Sequence, residues 1–269
     1  MRMVLSLSHL LLASLIIGCA LESAASPAMP SFKLAALDSS NRLIVFKSDA
    51  PQQAKILSIT GTDSALTGID VRPANKKLYG LSQTNTLFVI DPASGAATRV
   101  SRLTSAFRGA AASGFDFNPQ SDRLRLVAAS GQNLRVNVEV GAVGIDGVLS
   151  YAASDLHSGR RPAVSAAAYT NSVPGARSTI LFVIDHEQDI LTQQEPPNDG
   201  VLTTVGSLGI DCGAAAGFDI VTVKRGVDYA FLVCGSELFR LDINSGAAQG
   251  IGRIGAVPGE MISLAVLSE

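Results

Sequence analysis

The chain has 269 residues and a formal net charge of −2, from 21 Lys and Arg against 23 Asp and Glu. Charged residues make up 16% of the sequence and hydrophobic residues 47%, which excludes an intrinsically disordered chain. The nearly balanced charge provides no basic surface, so we expect no nucleic-acid partner. The length and the 25 glycines fit one large, turn-rich β domain.

The N-terminus has the pattern of an export signal. Arg2 precedes an apolar run, residues 3–17, that is too short to span a bilayer as a mature helix. The run ends in IIGC, which is similar to a bacterial lipobox, where the cysteine receives lipid and becomes the mature N-terminus. The sequence therefore predicts a signal peptide over residues 1–18, lipidation of Cys19, and a tether over residues 19–31 between the membrane and a single domain, 32–269.

Ordinary signal-peptidase cleavage is the alternative. Ser23-Ala24-Ala25 forms a small-x-small pattern a few residues after the apolar run. Cleavage there would give a secreted or periplasmic soluble protein rather than a membrane-anchored lipoprotein. Both interpretations predict export.

Four segments of the sequence resemble one another. They cover residues 66–100, 112–143, 164–209 and 215–255, and their equivalent positions Gly68, Gly114, Ala166 and Gly217 lie 46, 52 and 51 residues apart. Each segment contains short β-rich runs separated by turn residues. Four strands in each unit of 40 to 50 residues is the period of a β-propeller blade.

The two ends of the chain supply a fifth unit. Residues 32–61 hold three strand-like runs, and MISLAVL (261–267) resembles the first strand of a unit. Pairing of the two termini would close the ring and leave no open sheet edge. We therefore predict an all-β fold, a β-propeller of five four-stranded blades. A solenoid is the rival architecture, but it would need atypical capping repeats at its ends.

At these residues the chain resembles the DUF4394 domain family, exported bacterial proteins of propeller-like fold. The motifs that carry the resemblance are GIDVRPANKKLYGL, GFDFNPQSDRLRLV, SGQNLRVN, AAAYTNS, EPPNDGVLTTVGSLGID and AAGFDI, which occur in order between residues 66 and 222. The resemblance implies fold and export, and it implies no particular activity. The chain departs from the family pattern in VNVEVGAVG, which lacks the proline of the corresponding turn.

Motifs for common chemistries are missing from the sequence. His157 and His186 follow the signal segment without any HxxxH, HExxH or Cys/His cluster, which argues against a zinc site, and we interpret both as solvated loop residues. There is no GxSxG, GxGxxG or P-loop motif. Tryptophan is absent, which disfavours sugar binding by stacking. We predict no cofactor, and the sequence favours a binding module over an enzyme.

Three carboxylates recur at one position of the repeat. Asp70, Asp116 and Asp219 each lie two residues after the glycine that opens a unit. If the first strands line a central channel, these side chains would approach one another, and such a cluster could bind calcium or serve acid/base catalysis. The alternative is structural, with each Asp accepting hydrogen bonds from its own turn.

Unit three carries polar residues where the other units are apolar. On its third strand Asn133, Arg135 and Asn137 share one face, and Arg125 interrupts the strand before it. Blades are covered on both faces, so these groups must either find partners between blades or open onto a pocket. We predict a pocket at the junction of blades three and four, for a small polar, anionic or polyhydroxy ligand, with Asp116 and Asn118 at its rim. Its predicted lining residues are Arg125, Asn133, Arg135, Asn137, Tyr169 and Asn171.

Two cysteines remain after the predicted lipidation site. Cys212 lies just before the first strand of unit five and Cys234 ends the second. In an antiparallel hairpin the start of one strand lies beside the end of the other, and an exported protein is exposed to oxidation. The sequence predicts a disulfide, with two buried free thiols as the alternative.

These patterns predict a lipid-anchored propeller that acts as a binding or interaction module of the cell envelope. Its predicted partners are the membrane, through the lipid, and a small polar or anionic ligand. The alternative is an envelope hydrolase or lyase that uses Asp70, Asp116 and Asp219 with a bound metal. A purely scaffolding module, with an apolar surface patch and a filled channel, is the third hypothesis.

Overall fold

The computed structural model describes residues 30–109, 113–224 and 226–267, and every regular element in these ranges is a β-strand. The predicted signal peptide, Cys19 and most of the predicted tether lie outside the described residues. Within the described part of the chain, no helix has the length and apolar character needed to cross a membrane.

The strands follow the predicted units in chain order. Blade one contains β1 (Lys33–Asp38), β2 (Arg42–Lys47) and β3 (Ala50–Ser58). Blade two contains β4 (Leu66–Val71), β5 (Leu78–Ser82), β6 (Thr86–Ile90) and β7 (Ala97–Arg102). Blade three contains β8 (Ser113–Asn118), β9 (Arg123–Ala128), β10 (Asn133–Asn137) and β11 (Ala142–Ile145).

The second half of the chain forms the remaining blades. Blade four contains β12 (Ser150–Tyr151), β13 (Val164–Tyr169), β14 (Leu181–Asp185), β15 (Ile190–Gln194) and β16 (Val201–Ser207). Blade five contains β17 (Ala216–Lys224), β18 (Val227–Cys234), β19 (Glu237–Leu241) and β20 (Ala248–Arg253). The last strand, β21 (Met261–Leu267), returns to blade one.

The two ends of the described chain close the ring. β21 pairs antiparallel with β1, with Leu34 opposite Val266 and Ala36 opposite Leu264. The first blade therefore has the strand order β21-β1-β2-β3, and the first strands of the five blades, which we call the inner strands, contact one another in the order β21, β4, β8, β13, β17 and back to β21. The predicted five-bladed propeller with paired termini is confirmed.

Close packing of the inner strands explains the repeated glycines of the sequence. A Cβ atom on Gly68 would lie 2.7 Å from the Cβ atom of Phe115, and one on Gly114 would lie 2.4 Å from that of Ala167. In blade one Ser263 has the equivalent place, and its hydroxyl accepts a hydrogen bond from the Ile69 amide of blade two at 3.0 Å. The repeat thus requires a small residue where neighbouring blades approach each other.

The hydrophobic core lies in layers between blades. One layer joins blades four and five around Phe182, Phe218 and Leu232. Another joins blades two and three around Leu81, Leu87 and Phe115. Strands such as β5 and β14 are buried at every residue, because each blade is covered on both faces. Each blade is therefore sandwiched between its two neighbours.

Two local features differ from the sequence pattern. Blade four gains a fifth strand, because the two-residue β12 pairs parallel with β16 at its outer edge.

The turn of blade three that lacks a proline still forms. The Gly141 amide donates to the Asn137 carbonyl at 2.8 Å, and the Asn137 side chain accepts from the Glu139 amide. The side-chain cap replaces the conformational restriction that a proline would supply.

The predicted disulfide is present between Cys212 and Cys234. Their Cα atoms lie 4.9 Å apart, and the strand register places Ala216 opposite Cys234 at the end of the β17–β18 hairpin. Both cysteines are buried within the layer between blades four and five. The bridge therefore joins the segment that precedes β17 to the end of β18.

Replacing both cysteines by alanine should lower the free energy of unfolding by about 3 kcal/mol, since the bridge closes a loop with a sequence separation of 22. Urea unfolding of the wild type and the double variant measures this difference. Adding a reductant to the wild type should reproduce it and should not affect the variant. Equal midpoints for the oxidised wild type and the variant would contradict a stabilising role.

Candidate functional site

One main-chain amide from each inner strand points to a carboxylate in the central channel. Five amide donors share three acceptors: Val71 and Phe117 donate to Asp70, Tyr169 donates to Asp116, and Ile220 and Val266 donate to Asp219. The donor–acceptor distances range from 2.6 Å for Val71 to 3.2 Å for Tyr169. The inner strands are sheet edges, so without these carboxylates the amides would lack partners in a buried place.

The pattern of bonds follows the order of the blades. Each Asp accepts a hydrogen bond from a main-chain amide of the next blade. The donor is the residue that directly follows the position equivalent to the Asp in that blade. Blades four and one carry Ala168 and Ala265 at that position. In the blades that follow these two, the amides of Ile220 and Val71 bond the Asp of their own strand instead.

The structural interpretation of the three Asp residues is therefore supported, with different partners from those expected. We expected hydrogen bonds from each residue's own turn, and only the Val71 and Ile220 bonds are of that local kind. The others cross between blades. Together they fasten blade two to three, three to four, and five to one.

The channel carboxylates also lie close to each other. One oxygen from each of Asp70, Asp116 and Asp219 lies within 4.8 Å of the other two, and all three side chains are buried. Burial raises the pKa of Asp70 and of Asp116 well above the ordinary value, and the charges of neighbouring Asp side chains raise them further. Burial raises the pKa of Asp219 to about 6.

A small cavity of about 150 Å³ adjoins the three carboxylates. Lys76, Ser172 and Thr222 line its mouth, on the face where the inner strands end. Three converging carboxylate oxygens are ligands of the type that calcium prefers. Five of the six oxygens already accept main-chain amides, and the second oxygen of Asp116 receives no hydrogen bond from the described residues.

A second cavity, which we call the junction pocket, lies on the same face between blades three and four. It has a volume of about 270 Å³ and is lined by Asn118, Gln120, Ser121, Arg123, Arg125, Arg135, Tyr169, Thr179, Pro197 and Asn198. Four of the residues that the sequence placed in such a pocket line it, namely Asn118, Arg125, Arg135 and Tyr169. Their strands β8, β9, β10 and β13 bring them together from two blades.

Arg125 forms the buried wall of the junction pocket. Its guanidinium donates to the Tyr169 hydroxyl at 3.2 Å, to Asn133 Oδ1 at 2.6 Å, to Asp146 Oδ2 at 2.7 Å and to Asn198 Oδ1 at 2.8 Å. The Arg125 side chain is 2% exposed. Because four partners engage it, Arg125 has the role of a structural tie between blade three and the 195–200 loop of blade four.

Arg135 differs from Arg125 in exposure and in partners. Its side chain is 43% exposed, and its one hydrogen bond among the described residues runs from Nε to Asp146 Oδ2 at 2.7 Å. Asp146, only 5% exposed, thus receives both guanidinium groups on the same oxygen. The two terminal nitrogens of Arg135 remain available to the pocket.

The other predicted residues lie around the pocket rather than in its lining. Asn133 is buried behind Arg125, and its amide nitrogen donates to the carbonyls of Gly147 and Pro197. Asn137 caps its own turn, and Asn171 donates to the Ser178 carbonyl in a neighbouring loop. Asp116 belongs to the channel cluster and touches the pocket only through its bond to the Tyr169 amide.

Sequence reasoning missed Asp146 and Asn198 as members of the site. Asp146 follows the outer strand β11, and Asn198 lies in the 195–200 loop of blade four. No periodicity marks a loop residue as a partner of an arginine in another blade. The only signal was the unusual pair of arginines, which demanded a carboxylate from elsewhere in the fold.

His157 is less exposed than we expected. Its side chain is 14% exposed, its Nδ1 lies 3.1 Å from Thr204 Oγ1, and its ring packs on that of Tyr151. Asp155 bonds the Thr204 amide and hydroxyl, so the group holds the 152–160 loop against β16. The expectation of a solvated loop histidine was wrong here, because the loop folds back on blade four.

The fold and the site define a five-bladed β-propeller. The face at which its inner strands end carries a carboxylate-lined channel and an arginine-lined pocket. The family model described as a domain of unknown function, DUF4394, matches residues 42–265. The chain belongs to this family. None of the curated proteins compared with it matches.

A solved structure shares the fold. A crystal structure of a structural genomics protein of unknown function from Bacteroides thetaiotaomicron is 20% identical, with a TM-score of 0.50 over 83% of this chain and 58% of that one. This chain thus spans less than two thirds of that protein. A catalytically inactive virginiamycin B lyase from Staphylococcus aureus, solved with quinupristin, is 10% identical, with a TM-score of 0.42 over 82% of this chain and 69% of the lyase.

The channel cluster should make the protein less stable as the pH rises from about 4 to above 6. Asp219 has a higher pKa in the folded chain, about 6, than its ordinary value of 3.8, so the folded state binds more protons in this window. Asp116→Asn keeps an acceptor for the Tyr169 amide and removes one charge. It should raise the free energy of unfolding at pH 7.5 by on the order of 2 kcal/mol.

Urea unfolding at pH 5 and pH 7.5 measures this effect. Lowering the pH should raise the free energy of unfolding less in the variant than in the wild type, because the variant lacks one repulsive charge at both pH values. Asp211→Asn, at an exposed position, serves as the control and should follow the wild type. A variant that is less stable than the wild type at pH 7.5 would show that the cluster is not held under repulsion.

Proposed function

We propose that this protein is a lipid-anchored binding module of the cell envelope, and that the junction pocket is its ligand site. The observation that carries the proposal is the half-exposed Arg135, which lines a cavity of about 270 Å³ and whose terminal nitrogens make no hydrogen bond to the described residues. A purely structural network would bury and pair both guanidinium groups. Only Arg125 fits that description.

The construction of the pocket supports a binding role. Arg125, Asn133 and Asp146 form a buried, hydrogen-bonded layer beneath it, so the wall that carries Arg135 is rigid. A site held in place by such a layer loses little conformational entropy when a ligand binds. Pro197 and Asn198 complete the opposite wall from blade four, and their loop is tied down through Arg125 and Asn133.

An envelope hydrolase or lyase that uses the channel carboxylates is the second candidate. The observation that favours it is the convergence of Asp70, Asp116 and Asp219 within 4.8 Å beside a cavity. Their bonds to five main-chain amides already give the three carboxylates a structural role, which is why we place this candidate second. It requires that calcium raise the unfolding midpoint of the wild type and leave that of Asp116→Asn unchanged.

The two arginines should separate structure from binding. Arg125→Leu leaves Asp146, Asn133 and Asn198 without a buried partner and should cost roughly 3 to 5 kcal/mol of stability. Arg135→Leu leaves Asp146 paired with Arg125 and should cost less than about 1 kcal/mol. Urea unfolding of both variants measures these values.

Binding is measured by thermal shift with a panel of neutral sugars, amino acids, carboxylates and phosphorylated sugars. At least one compound should raise the midpoint of the wild type and leave Arg135→Leu unaffected. Arg99→Leu, an arginine exposed on β7 of blade two, is the matched control and should respond as the wild type does. If every compound shifts Arg135→Leu as much as the wild type, the junction pocket is not the ligand site.

The anchor is tested at Cys19. Expressed with its own signal segment in a bacterial host, the wild type should partition into the detergent phase, and Cys19→Ser should move to the aqueous phase with unchanged thermal unfolding. We expect unchanged unfolding because the buried core residues begin at Leu34, well after Cys19. Equal partitioning of the two forms would contradict lipidation.

A further inference from the structure

The junction pocket is richer in free hydrogen-bond donors than in free acceptors. The side-chain oxygens of Asn133 and Asn198 are engaged by Arg125, and that of Asn118 accepts the amides of Gln120 and Ser121. The Tyr169 hydroxyl accepts from Arg125. The terminal nitrogens of Arg135 and the amide nitrogen of Asn198 make no hydrogen bond within the described residues. A ligand must therefore bring acceptors.

The junction pocket is positively charged, which agrees with its excess of free hydrogen-bond donors. Three arginines line it, Arg123, Arg125 and Arg135, and none of its described lining residues is acidic. Asp146, behind the lining, is shared by Arg125 and Arg135. Asp122, next to Arg123, is bonded to Arg72 of blade two. One carboxylate thus balances two buried or half-buried guanidinium groups, and positive charge remains uncompensated.

We infer that the ligand of the junction pocket is a small molecule bearing an oxyanion, a carboxylate or phosphate, that binds the terminal nitrogens of Arg135. This inference rests on the proposed function. Asp146 accepts a hydrogen bond from Arg135 Nε and so fixes the direction of the guanidinium, while the edge formed by its two terminal nitrogens makes no hydrogen bond to the described residues. A guanidinium fixed in this way presents two parallel N–H groups, which match the two oxygens of a carboxylate or phosphate.

The remaining lining suits hydroxyl groups on the same ligand. The side-chain nitrogen of Gln120 donates to the Arg177 carbonyl. The side-chain oxygen of Gln120 can therefore accept a hydrogen bond from a ligand. Thr179 donates its hydroxyl proton to the Thr170 carbonyl and can accept in return. A cavity of about 270 Å³ has room for one sugar-sized molecule. Acidic or phosphorylated sugars combine both chemical features.

The test compares probes that differ by a single group. Glucose, glucuronate and glucose 6-phosphate are titrated into the protein by isothermal calorimetry at constant ionic strength, with sodium chloride as the balancing salt. Glucuronate or glucose 6-phosphate should bind at least tenfold more tightly than glucose, and the stronger of the two identifies the oxyanion as carboxylate or phosphate. Arg135→Leu should lose at least tenfold in affinity for that anion, and Arg99→Leu should lose none.

A conservative variant separates the oxyanion contact from simple charge. Arg135→Lys keeps the positive charge but removes the paired N–H groups, and it should bind the anion several-fold more weakly than the wild type. Glucose binding as tightly as both anions, with loss in Arg135→Leu, would overturn the oxyanion inference and leave the proposed ligand site intact. Anion binding that is equal in Arg135→Leu and the wild type would overturn both.

Discussion

The structure depends on how five sheet edges are satisfied where they meet at the axis. The inner strand of each blade has no further strand beside it, so its amides would be buried without partners. Asp70, Asp116 and Asp219 supply the acceptors, and four of the five main-chain amides donate to them at less than 3 Å. The same bonds draw three carboxylates together in a buried place. Burial raises the pKa of all three, and the charges of neighbouring Asp side chains raise those of Asp70 and Asp116 further. Ring closure and the raised pKa values therefore have one cause.

The closure also explains which positions of the repeat vary. Blades one and four carry alanine at the position of the channel Asp, and the neighbouring blades compensate with bonds to their own carboxylates. Five carboxylates at the axis would repel one another more strongly than three, while three suffice for all five amides. The irregularity of the repeat is thus consistent with a balance between hydrogen bonding and repulsion.

The junction pocket arises from a different departure from the repeat. The second strands of the other blades, β1, β5, β14 and β18, contain no arginine, whereas blade three places Arg125 on β9 opposite Arg135 on β10. Asp146 accepts from both and prevents two guanidinium groups from facing each other uncompensated. Arg125 is then enclosed by blade four and Arg135 is not. One carboxylate separates a structural arginine from one that is free to bind.

The sequence by itself determined the architecture, because strand length, turn residues and unit spacing are local properties that repeat along the chain. The blade number, the pairing of β21 with β1 and the Cys212–Cys234 bridge all followed from spacing and antiparallel geometry. Half of the predicted pocket residues line the junction pocket, because alternation along β9 and β10 fixes which side chains share a face.

Only the tertiary structure decided the partners. Asn198 is 73 residues from Arg125 and Asp219 lies 47 residues before Val266, and each pair meets because of the angle between neighbouring blades. Loops such as 195–200 carry no periodicity, so their contacts depend on how the blades pack around the axis. The local pattern specifies which groups need partners, and blade packing specifies which groups they find.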